Sequence, residues 1–77
     1  MSTESAQGIK VRAIAANLAA MHRLLLEAAQ RSAEACESIR DNNCNAAIGT
    51  VIGLDATLED AKALHVAALA LHRSSIE

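Results

Sequence analysis

The sequence predicts an all-α fold: a long antiparallel helical hairpin that completes a four-helix bundle by homodimerisation. Three observations predict it. The 77 residues include no Pro and only 3 Gly, while Ala, Leu, Glu and Arg are plentiful, which favours helix by intrinsic propensity. From Val11 onward, Val11, Ile14, Leu18, Met21, Leu25, Ala28, Ser32, Ala35, Ile39 and Asn42 fall at alternating spacings of three and four, the signature of a heptad seam. Near the middle of the chain, Asp41-Asn42-Asn43-Cys44-Asn45 gathers short polar side chains that bond to nearby backbone and favour caps and turns.

Taken in order, residues 1–8 are small and polar and are expected to be disordered, with the hairpin occupying residues 9–75. The first helix is expected over about 9–41. Arg12, Arg23, Glu27, Gln30, Glu34 and Glu37 collect opposite the seam as its solvated face, and Arg23, Glu27 and Arg31 stand at spacings of four that support exposed ion pairs. Leu24-Leu25-Leu26 and the alanine-rich stretch from Ala13 to Ala20 widen the apolar surface beyond one stripe. A helix apolar on more than one side has more than one neighbour. The expected self-association interface is therefore Ile14, Leu18, Met21, Leu24, Leu25 and Leu58.

The turn is expected at about 42–45, with Asn43 or Asn45 capping a second helix over about 46–74. That helix has its own stripe: Ala47, Val51, Leu54, Leu58, Ala61, Leu64 or His65, Ala68, and Leu71 or His72. Its first half is less regular. Gly49 and Gly53 each cost about 1 kcal/mol against Ala in a helix interior, and Ile48 and Ile52 would face away from the stripe if the helix were straight. Thr57 followed by Asp60 resembles a capping box. The alternative is a second arm broken near Gly53 to Thr57 into two helices. The ends, Ser74 to Glu77 included, are expected to fray.

Composition bounds function mainly by exclusion. Without Phe, Tyr or Trp, the core must be made of Leu, Ile, Val, Met and Ala, and a domain this small usually needs help from oligomerisation. The formal charge is −2, split as +1 over residues 1–40 and −3 over residues 41–77, with no clustering of Lys and Arg, so nucleic acid is not an expected partner. No apolar run approaches the roughly 20 residues of a membrane span. Lys10 and Arg12 precede a partly apolar run, but Asn17, His22 and Arg23 interrupt it, so no secretory signal is read there. The acid-poor first twenty-six residues resemble a mitochondrial presequence only in that respect, and the heptad runs through them. Cys36 and Cys44, eight apart, form no paired-thiol motif, and a cytoplasmic chain with free thiols is the expectation.

Catalytic constellations are missing. A carboxylate-bridged dimetal bundle wants Glu-x-x-His on facing helices, which does not occur here. Gly8, Gly49 and Gly53 fit no phosphate-binding loop, and a hydrolytic triad lacks its nucleophile elbow. His65 and His72 fall near the apolar stripe of the second arm and His22 at the edge of the first seam. If residues pair across the hairpin when their numbers sum to about 85 or 86, His22 comes level with Ala63 or Leu64, about one residue rise from His65. These three are the weak candidates for metal ligands. Cys36, expected to point toward the seam, lies about 21 Å along the helix from His22, too far to complete a four-ligand zinc site.

In architecture the expected hairpin resembles the ROP type, two helices completed by a second copy. The resemblance is one of shape; its functional residues are not matched here, and the weak basic charge does not support an RNA-binding role. The expected function is a small non-catalytic structural or protein-interaction module whose partner is itself or another helical protein, with no cofactor. The alternative is a metal-binding bundle using inward histidines.

Overall fold

The computed structural model describes residues 5–74. They form three helices, α1 (Ala6–Arg40), α2 (Cys44–Val51) and α3 (Leu54–Arg73), and no strand occurs among them. Helix α1 packs along both α2 and α3, so the chain is a hairpin with one long arm and one two-part arm, 60 × 23 × 13 Å across its Cα atoms.

The first helix begins at Ala6, three residues before the expected start. Ser5 is the cause: in extended conformation, its Oγ accepts from the Gly8 amide at 3.0 Å, satisfying one of the orphan N–H groups at a helix start. Ser5 to Gly8 are thus structured, whereas residues 1–4 and 75–77 of the expected frayed ends lie outside the described residues.

The reversal falls where the polar run predicts it. Asn42 takes φ 60°, the left-handed conformation that Asn tolerates better than most residues. Its amide donates to Ile39 O at 3.0 Å and the Asn43 amide to Ser38 O at 2.8 Å, the paired bonds of a Schellman motif that close the last carbonyls of α1. Asn43 then caps α2, its Oδ1 accepting from the Ala46 amide at 3.1 Å. The backbone at Asn42 ends one helix and the side chain of Asn43 starts the next.

The second arm is not one continuous helix. It breaks at Ile52 and Gly53, at the edge of the window expected for the alternative, and Gly53 precedes α3 without a side-chain cap. Thr57 lies inside α3 and does not begin it. Ile52 (φ −63°, ψ −26°) and Gly53 (φ −95°, ψ 3°) stay near helical values, so the arm keeps its direction and both parts pack on α1.

The packing seam differs from the expected one by a single rule. In α1 the seam of buried and half-buried residues at three-four spacing runs Lys10, Ile14, Asn17, Met21, Leu24, Ala28, Arg31, Ala35 and Ser38, with Gly8, Ala13 and Ala20 half-buried beside it; in the second arm it runs Ala47, Thr50 with Val51, Leu54, Thr57, Ala61, Leu64, Ala68 and Leu71, with Ala46 half-buried beside it. With Ile14, Met21, Ala28 and Ala35 as heptad position a, and Lys10, Asn17, Leu24, Arg31 and Ser38 as d, the expected α1 seam combined a with e. The expected second stripe took Leu58 where Thr57 faces inward, and of its alternatives Leu64 and Leu71 face inward while His65 and His72 are exposed. The observed seam is turned by about 50° in each arm. Five of the described residues are buried, Ala28, Ala47, Leu54, Ala61 and Ala68, four of them alanines that let the helices approach closely.

Candidate functional site

The row turned out of the hairpin is the more apolar one. In α1 the inward d positions are Lys10, Asn17, Leu24, Arg31 and Ser38, with one large apolar side chain, whereas the e positions are Val11, Leu18, Leu25, Ser32 and Ile39, with four. Val11, Leu18, Leu25 and Ile39 are 43 to 54% exposed. Even Ser32 adds little polarity, because its Oγ donates to Ala28 O of its own helix at 2.9 Å.

The second arm repeats this only in part: its e and b positions carry Val51, Leu58, Ile48 and Leu69, of which Leu58 is 49% and Ile48 54% exposed, interleaved with His65, His72, Asp55 and Lys62. Successive residues of a right-handed helix advance about 100°. Because the arms are antiparallel, the row following the seam turns in opposite senses as viewed from one end and reaches the same side of the hairpin in both arms. An open groove of about 490 Å³ next to the turn shows this arrangement, with Cys36 and Ile39 of α1 and Ile48 and Val51 of α2 forming one lining. The opposite side carries Glu27, Glu34 and Asp60. One broad face of the hairpin is apolar along α1 and mixed along the second arm, where Asp55, Lys62, His65 and His72 interrupt it; the other is partly acidic.

The six residues expected at the self-association interface divide accordingly. Ile14, Met21 and Leu24 are half-buried within the hairpin, while Leu18, Leu25 and Leu58 stand on the exposed face. Leu26 and Val66, directly opposite the seam, are exposed at 56% and 53%. Ile52 is 75% exposed at the break, whereas Ile48, 54% exposed, lines the groove beside Ile39 of α1.

The three histidines are not inward. His22, His65 and His72 are all exposed, as is Cys36, because each sits one position past a seam residue. Lys10 reaches Ser74 and Arg31 lies against Gly53, so residues face one another when their numbers sum to about 84 or 85. His22 and His65 then share a face but stand two to three residue rises apart, roughly 3 to 4.5 Å along the axis. No group of three or more His, Cys, Asp or Glu placed to hold a metal occurs among the described residues. Nor is any of their helices long and apolar enough to cross a membrane.

The chain matches no protein-family model, no curated protein and no solved structure.

Proposed function

We propose that this protein is a non-catalytic structural or interaction module that works as a homo-oligomeric helical bundle, most simply a two-fold homodimer of hairpins. The observation that carries the reading is the placement of the rows in α1: the hairpin turns a largely polar row inward and leaves Val11, Leu18, Leu25 and Ile39 in solvent. Burial of a Val, Leu or Ile side chain is worth about 1.5 to 3 kcal/mol, and contiguous exposed apolar surface on this scale marks an interaction site. A second hairpin would supply the missing layer of a four-helix bundle. Nothing in the charge distribution recommends a nucleic acid or an anionic membrane as partner. The thiols of Cys36 and Cys44 are free, as suits a cytoplasmic chain.

Sedimentation velocity at micromolar concentration tests the reading. A mass of twice the 8.0 kDa chain or more is expected. A compact monomer with full helical circular dichroism would overturn it.

A further inference from the structure

Resting on that self-association, we infer that the occupant of the apolar face is a second copy stacked face to face with its turn at the opposite end, so that α1 crosses the partner's α1 and α3 the partner's α3. In plan the hairpin measures 60 × 23 Å, roughly 1,400 Å², whereas a stable interface buries about 800 Å² per partner. The face is large enough for a copy of the whole hairpin.

Charge selects the orientation. The apolar e row of α1 runs from Val11 to Ile39, with Leu25 at its midpoint. By the register of the hairpin, Leu25 is level with Asp60, which is also midway between Ile48 and His72. A two-fold axis crossing both arms at that level stacks Leu25 on its own copy. Along α3 it brings Asp55 opposite the partner's His65, whose imidazole N–H can donate to the carboxylate, and lays the alkyl stem of Lys62 against the partner's Leu58. Turns at the same end would instead put α1 against the partner's α3, placing Lys62 level with His22, which offers it no carboxylate, and leaving Asp55 near Ser32, whose hydroxyl already donates to Ala28 O. Matching opposite groups fixes register, and juxtaposing like ones counts against it. The opposite-ended stack also brings Val11 of each copy over the groove beside the other's Ile39 and Ile48.

The exposed thiol of Cys44, next to the turn, reports the orientation. With spin labels on Cys44 in a Cys36→Ser background, opposite ends predict an inter-label distance of roughly 50 Å, twice the rise from the Leu25 level to the turn. Same-ended stacking predicts a distance within the width of the bundle, under about 25 Å. A dimer by sedimentation with the short distance overturns the orientation and leaves self-association standing; a monomeric wild type overturns both. The pairing has its own test. His65→Glu should weaken dimerisation about tenfold, and adding Asp55→Lys should restore it. The two positions are ten residues apart on one helix, about 15 Å, so rescue must act between copies. Failure of rescue in a dimer that still forms overturns the Asp55 to His65 contact.

Discussion

The guanidinium of Arg31 passes over Gly53: its Nη1 lies 3.7 Å from the place a β-carbon at Gly53 would take, and its Nη2 pairs with Glu27 Oε1 at 3.0 Å. A seam position in α1 thus holds a cation that leans across the break in the second arm toward a carboxylate on its own helix. Crowding does not require glycine at this position, since 3.7 Å is ordinary contact distance.

Gly53→Ala should therefore stabilise the hairpin. Gly53 has φ −95°, open to any residue, and Ala removes about 0.5 to 1 kcal/mol of unfolded-state and helical penalty. Gly49, with nothing within 4 Å of an added β-carbon, should behave alike. In urea titrations both midpoints should rise with an unchanged slope. A lower midpoint for Gly53→Ala alone would mean that Arg31 has no room to yield.

Asn42 is the one non-glycine residue with positive φ among those described. Asn42→Gly keeps the Schellman motif and should be neutral or stabilising by a few tenths of a kcal/mol. Asn42→Val places a β-branched side chain in the left-handed region and should cost about 1 to 2 kcal/mol or more. Thermal melts of the two variants differing by less than a degree would show that the turn re-forms elsewhere.

The order of elements was legible in the sequence because its signals are local. Asn43 as a cap, the reversal after Asp41 and the glycine-weakened second arm each depend on neighbours within a few positions. Which row faces inward was not legible, because it depends on two helices choosing among adjacent rows. Hydrophobicity averaged around α1 points between a and e, since Leu18 and Leu25 outweigh Asn17 and Arg31, whereas the hairpin packs a against d. The same displacement moved Leu58, His65 and His72 inward on paper and left them outside in the fold.

Zinc separates the interaction module from a metal-dependent bundle. With His22, His65 and His72 exposed and no cluster of three donors among the described residues, titration of the reduced protein should give no stoichiometric binding and no rise in melting temperature. Tight binding at a fixed ratio to chain, lost in His65→Ala, would require donors brought together between copies and would favour the metal-binding alternative.

The sharpest comparison sets Leu25 against Ala28, three residues apart on α1 and belonging to different layers. Ala28 is 7% exposed inside the hairpin, whereas Leu25 is 43% exposed on its broad face. Ala28→Asp would bury a carboxylate without a partner, a penalty of several kcal/mol that a small alanine-rich core cannot absorb, so helical circular dichroism should collapse at every concentration. Leu25→Asp leaves the hairpin seam intact and should act on association, raising the dimer dissociation constant by about a hundredfold or more. Since assembly stabilises the folded state by mass action, the wild-type melting temperature should climb with protein concentration, and Leu25→Asp should flatten that dependence. Two results would refute this assignment of layers: a Leu25→Asp melting curve that matches the wild type at each concentration, or an Ala28→Asp variant that remains helical.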